Sequence, residues 1–134
     1  MLIRPTSAFL LSALLSLSVA LPALADHQWV RVTTDNDDNV YFLDKKVAGR
    51  GRFRRYWMAM YPKPEYGNKQ WQKWLYSIDC QAKPKVRRLR MAVYYDQDGK
   101  ESGSSNYGGN GDLEKVTSQM PVGLRVANAA CSIK

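Results

Sequence analysis

An α+β fold, with an antiparallel β-sheet of about five to six strands, a C-terminal helix packed on one face and a single disulfide, is predicted by three features of the chain. From residue 26 onward, apolar and polar residues alternate at period two in short runs broken by turn-forming clusters. After Pro121 the apolar spacing becomes helical. The chain has only two cysteines, Cys80 at the end of an alternating run and Cys131 at the end of the helical one. A bridge between them would fasten helix to sheet.

Residues 1–25 are set aside as a cleaved signal peptide. Arg4 supplies the positive start, an apolar run extends from Ala8 to Leu21, and Ala23-Leu24-Ala25 is a small-x-small processing site. The alternative is an uncleaved membrane anchor, but Ser12, Ser16, Ser18 and Pro22 interrupt the run, and nothing later approaches the ~18 apolar residues of a span. Of 134 residues, loss of the first 25 leaves 109, residues 26–134, enough for one domain and too few for two. Export places the protein in a periplasmic or secreted location, where disulfides persist.

The elements follow in order. Gln28–Thr33 sets Trp29, Arg31 and Thr33 against Val30 and Val32; Asp35–Asn39 turns the chain; Val40–Asp44 returns as the second strand of a hairpin. A basic loop leads to Arg52–Tyr61, an aromatic-rich third strand that Pro62 and Pro64 stop. Gln70–Cys80 places Trp74, Tyr76, Ile78 and Cys80 on a core face. Val86–Asp96 sets Leu89, Met91, Val93 and Tyr95 against Arg88, Arg90, Ala92 and Tyr94. Asp98-Gly99 is a tight-turn pair, so a strand over Glu101–Tyr107 pairs back, and Gly108–Gly111 follows as a flexible loop. Val122, Val126, Ala129 and Ala130 then recur at helical spacing behind Pro121, although Gly123 weakens that segment.

Two cysteines allow one intramolecular pairing, Cys80 with Cys131. Free redox thiols are the competing reading, but there is no Cys-x-x-Cys and no histidine nearby in sequence. The chain-entropy model credits such a closed loop with roughly 4 kcal/mol, a large share of the stability of a small domain.

Catalytic patterns fail on inspection. Asp35-Asn36-Asp37-Asp38-Asn39 opens like a calcium loop, but Val40 stands where glycine is needed and Lys46 where a bidentate glutamate is needed, so a hairpin turn is the better reading and no metal is expected. The single histidine, His27, lies one residue past the expected mature terminus and is expected to be a loose surface residue. Serine-nucleophile spacings are absent, and glycines 108, 109 and 111 lack the ending of a phosphate loop. Acid–base work by carboxylates alone would need a pair such as Glu65 and Asp79 in one cleft; a secreted hydrolase or inhibitor is the weakest reading. No cofactor is implied.

Charge is the strongest chemical signal. The chain carries 20 Lys and Arg against 12 Asp and Glu, and with Arg4 removed the balance is 19 to 12, a net +7. The bases fall in two clusters: Lys45, Lys46, Arg50, Arg52, Arg54 and Arg55, then Lys83, Lys85, Arg87, Arg88 and Arg90. If their strands share a sheet, Arg52 and Arg54 with Arg88 and Arg90 would form one polar face, with Tyr56, Tyr94 and Trp71 as stacking partners. Such a face suits an anionic polymer, a glycan or lipid phosphate, while export to a DNA-poor compartment argues against nucleic acid as the partner. The competing reading is that strand arginines only keep one face wet and block edge pairing; a homodimer through a sheet edge is a separate candidate assembly.

In order and cysteine spacing the mature chain resembles the bacterial surface-adhesin protein E family. The matching features are Trp29-Val30-Arg31-Val32, the polar turn, Val40-Tyr41-Phe42-Leu43-Asp44, the aromatic third strand, Asp79-Cys80 ending a strand, the arginine-rich strand after it, and the helical close at Cys131. The resemblance implies an antiparallel sheet with a disulfide-tethered C-terminal helix and a non-enzymatic binding role. The characterised adhesin sits on the cell surface and binds host proteins such as vitronectin, laminin and plasminogen through segments that are not a transferable motif. That member looks like a lipoprotein, whereas no cysteine stands at the processing site here, so a periplasmic or secreted location is expected, with cell-surface association as the family's variant.

Overall fold

The structure, a computed structural model, describes residues 27–63 and 70–134; the expected leader and Glu65 lie outside the described residues. Seven strands form, β1 Trp29–Thr34, β2 Val40–Asp44, β3 Phe53–Tyr61, β4 Trp71–Asp79, β5 Lys85–Tyr95, β6 Glu101–Asn106 and β7 Leu113–Val116, followed by the helix α1, Pro121–Ser132. They make one antiparallel sheet in the order β1-β2-β3-β4-β5-β6, and β7 also pairs with β5. The long β5 is shared along its length, Lys85–Arg88 with β7 and Met91–Tyr95 with β6. The expected α+β architecture is the observed one. Its seventh strand, Leu-Glu-Lys-Val, is too short and too charged to show an alternation of its own.

Local chemistry sets the turns. Asp35 Oδ1 accepts from the amides of Asp37 (2.9 Å) and Asn39 (3.0 Å), its Oδ2 accepts from the Tyr41 hydroxyl, and Asp38 takes the left-handed conformation at φ 63°. These carboxylate oxygens thus serve the hairpin itself. Asp96 repeats the device between β5 and β6, accepting from the amides of Asp98 and Lys100.

One face of the sheet buries α1. Cross-strand register pairs Tyr56 with Tyr76 and Tyr76 with Leu89, and Leu43, Tyr56, Met58, Tyr76, Ile78 and Val116 pack with Val126, Ala127 and Ala130 of the helix. Those three helix residues are fully buried; two being alanines, the helix comes close to the sheet. The Cys80–Cys131 disulfide forms, with the two Cα atoms 5.7 Å apart, and ties the helix end to the end of β4. The helix has no basic residue in its last turn. Arg54 takes that role from the sheet, donating from Nη1 to the carbonyls of Ala130 (3.2 Å) and Ile133 (2.5 Å).

The expected faces of β5 need correction. Leu75 pairs with Met91 and Tyr76 with Leu89, so Arg90 is the extra residue of a bulge. Past a bulge the period-two count shifts by one. Leu89 therefore packs against the helix-side core, whereas Met91, Val93 and Tyr95 share the opposite, open face with Leu75, Lys73 and Trp71. At the far end that face carries an aromatic layer of its own: Trp71 lies between Tyr61 and Tyr95, nearly parallel to both, at 5.0 and 3.9 Å.

Candidate functional site

The near end of the open face is built by four neighbouring strands. Register aligns Arg55, Ser77, Arg88 and Leu113 in one row across β3, β4, β5 and β7, and Phe53, Asp79, Val86 and Lys115 in the next. A cleft of about 740 Å³ opens here, lined by Phe53, Arg55, Ser77, Val86, Arg88, Arg90 and Leu113 among others. Strand spacing puts the Arg55 and Arg88 backbones about 10 Å apart.

The two inner arginines are held. Arg88 Nη1 donates to the carbonyls of Gly109 and Gly111, both at 2.8 Å, and Arg90 donates from Nε to Ser77 Oγ and from Nη1 to the Gly108 carbonyl, both at 2.7 Å. The glycine-rich loop, expected to be flexible, is thereby fastened to β5. Its close approach requires Gly111, where a Cβ would lie 1.9 Å from the Leu89 carbonyl oxygen.

Among the described residues a single carboxylate lines this corner. Asp79 lines the cleft, but it is engaged by the Arg52 fork, Nε and Nη2 each at 2.8 Å, and by the amides of Gln81 and Ala82. The hydrogen bond from Arg52 leads the causes that pull its pKa down to about 2. Arg55, Arg88, Arg90 and Lys115 form no ion pair among the described residues. Beside them stand Phe53 and Leu113, 70% and 61% exposed, the most exposed of the large apolar side chains described. The open corner is thus cationic, uncompensated and edged with apolar surface.

The sheet divides the predicted basic residues. Arg55, Arg88 and Arg90 come together in the cleft. Arg54, expected to share a face with Arg88 and Arg90, borders the cleft but sends its guanidinium to the helix side, where its cross-strand partner Ile78 lies. Arg50, Arg54 and Lys85 instead border a depression beside the disulfide, with Asn128 and Ser132. Arg52 is paired with Asp79 and lies over Phe53 at 5.1 Å. Lys45, Lys46 and Lys83 are exposed in loops. Arg87 is the clearest correction: it is 6% exposed, under the helix. Its Nε donates to Glu114 at 2.5 Å, its Nη1 points to the Tyr56 hydroxyl at 3.4 Å, and its guanidinium lies 4.0 Å above the Tyr76 ring. It is a core group with its own counterion and cannot face a partner.

The expected stacking partners also move. Tyr56 is buried at 1% exposure on the helix side, where desolvation pushes its pKa up to about 12 against the opposing pull of Arg87. Trp71 belongs to the far aromatic layer, and Tyr94, paired with Gln72, alternates with Tyr95 onto the opposite face of the sheet. His27 is not loose: Nδ1 lies 2.7 Å from the buried Asp44 carboxylate, and Nε2 lies 3.1 Å from Lys73 Nζ, which sits 4.9 Å over Trp57. Asp44 Oδ1 also accepts from the amides of Gln28 and Lys46, so this string pins the start of β1 to the sheet. Phe53, Leu113 and Lys115 were not foreseen as part of a site. Phe53 alternates with Arg55 in sequence, but both faces of β3 carry aromatics, and β7 has no pattern to reveal the other two.

A carboxylate pair would have needed Asp79 free, and it is occupied by Arg52. Among the described residues no group of three or more His, Cys, Asp or Glu is placed to hold a metal ion, and no helix is long and apolar enough to cross a membrane. A family model described as surface-adhesin protein E matches residues 29–132. No curated protein and no solved structure matches the chain.

Proposed function

From the premise that the chain belongs to the surface-adhesin protein E family, we propose that it is a small exported, non-enzymatic binding protein whose contact surface is the arginine cleft of the open face. Its partner carries anionic groups, presented by a protein, a glycan or lipid phosphate. One observation carries this reading: three guanidiniums, two of them oriented by the protein's own loop, gather in a cleft that no element of the described fold covers, where the carboxylate in the lining, Asp79, is already taken by Arg52. Clustering like charges costs energy, and an anionic ligand relieves it. The family supports an adhesin-like binding role, and the disulfide fits an exported protein.

The test compares two charge reversals of equal size. Arg55→Glu with Arg88→Glu alters the cleft; Arg31→Glu with Lys100→Glu alters β1 and the β5–β6 turn. On an immobilised heparin column the first variant is expected to elute at much lower salt than the second, with both folded by circular dichroism. Equal elution would mean that net charge alone drives retention. Failure of the wild-type protein to bind either heparin or immobilised matrix proteins at micromolar concentration would remove the binding role itself.

A further inference from the structure

We propose that the cleft end of the open face is a peripheral docking surface for a membrane leaflet rich in anionic phospholipid. Arg55, Arg88, Arg90 and Lys115 lie against the lipid phosphates, and Phe53 and Leu113 enter the boundary between headgroups and acyl chains. This rests on the anionic-partner reading above and names the source of the anion.

The juxtaposition of charge with exposed apolar surface is the first argument. Phe53 on β3 and Leu113 on β7 are three strand spacings apart across the sheet, about 14 Å, with Ser77, Asp79 and Arg88 on the strands between them and Arg55 and Lys115 beside them on their own strands. Large apolar side chains exposed to 70% and 61% gain nothing from a sulfated glycan or another fully hydrated polymer. They gain from an interface where the charged layer lies directly over hydrocarbon.

The hydrogen bonding of the arginines is the second. An acidic peptide is recognised best by guanidinium forks free to take a carboxylate with two N–H groups. Arg88 spends Nη1 on Gly109 and Gly111, and Arg90 spends Nε and Nη1 on Ser77 and Gly108. Arg90 therefore presents charge more than a directional fork, and Arg88, fixed to the loop through Nη1, keeps only its Nε–Nη2 edge, an arrangement that suits phosphates able to rearrange laterally beneath them. The third is placement: the helix and the disulfide lie on the opposite face of the sheet, so a lipid-docked protein keeps that side in water.

Each cation near an anionic leaflet is worth roughly five-fold in partitioning, and each inserted apolar side chain roughly ten-fold. The experiment is co-sedimentation of the wild-type protein with vesicles of phosphatidylglycerol and phosphatidylcholine, against pure phosphatidylcholine, with heparin retention measured in parallel. Two variants accompany it. Arg55→Gln with Lys115→Gln removes two cations whose side chains have no partner in the described fold, and Phe53→Ser with Leu113→Ser removes the apolar pair.

The proposal expects salt-sensitive binding to the anionic vesicles only. It expects a loss of about 25-fold for the charge variant, with weaker heparin retention, and a loss of about 100-fold for the apolar variant, with heparin retention reduced far less than vesicle binding. Heparin retention without vesicle binding overturns the membrane proposal and leaves the anionic-partner reading standing. Neither binding overturns both. Vesicle binding indifferent to Phe53→Ser and Leu113→Ser overturns the docking geometry, because adsorption would then be charge alone.

Discussion

Gly123→Ala is expected to destabilise the protein even though it places a better helix former inside α1. Alanine at a helix interior is favoured over glycine by about 1 kcal/mol, and less than that in a first turn such as this one. Against it stands the Arg87 guanidinium. A Cβ at position 123 would lie 3.2 Å from Nη2 and 3.4 Å from Cζ and Nη1, inside the ~3.5 Å at which carbon contacts are comfortable. The guanidinium has little room to retreat, since the Tyr76 ring lies at 4.0 Å and Glu114 holds Nε. Relief requires the helix to lift by a few tenths of an ångström, and its end is tethered by the Cys80–Cys131 bridge. Overpacking of this kind costs about 1 to 3 kcal/mol, so the net loss is about 1 kcal/mol, or about 4 °C in the thermal midpoint for a domain near 100 residues. Urea denaturation of the oxidised protein reads it directly. The same substitution in an Arg87→Met background separates the causes, because an unbranched, flexible methionine can yield. There Gly123→Ala should be neutral or stabilising by up to about 1 kcal/mol. A stabilising Gly123→Ala in the wild-type background, or the same effect in both backgrounds, would refute the reasoning.

Two further outcomes follow from the geometry. Replacing Cys80 and Cys131 by alanine opens a loop with a sequence separation of 51, and should lower the unfolding free energy by about 4 kcal/mol in the chain-entropy model; a shift in urea denaturation below about 1 kcal/mol would show that the denatured state is already restrained. The Arg52–Asp79 pair predicts an acid dependence of defined sign. Because the Asp79 pKa is depressed from 3.8 to about 2 in the fold, its stabilisation is present above the unfolded value and is lost as pH falls from about 4 through 2. The gap in thermal midpoint between wild type and Arg52→Gln should therefore close across that interval, and a gap constant with pH would mean that the pair contributes nothing.

Much of the fold was legible because its signals are local. The strand runs of β1 to β5, by alternation or aromatic content, the Asp35–Asn39 and Asp98-Gly99 turns, the helical spacing after Pro121 and the two cysteines each act within a few residues or allow a single pairing. The site was legible in composition and not in arrangement. Arg54 and Arg55 are adjacent in the chain, yet one caps the helix and the other enters the cleft, and nothing in a stretch such as Arg52 to Tyr61 says which face the core will claim when both carry aromatics. Arg90 shows the same difficulty more sharply: as the extra residue of a bulge it reverses the side on which every later β5 residue falls, and the bulge exists only in relation to β4.

Arg87 marks the boundary most clearly. From the amino-acid order alone an arginine among arginines belongs in water, because burying an unpaired charge costs several kcal/mol. Its counterion is Glu114, on a strand with no sequence signature, and its platform is Tyr76 on the neighbouring strand. The linear chain thus determined the kinds of element, their order, the covalent tie and the excess of positive charge, all properties of single residues or short segments. Which cations are buried, which serve the helix and which are left facing outward was decided only in three dimensions, because the cost of a charge depends on what stands next to it, and those neighbours are brought together from distant parts of the chain.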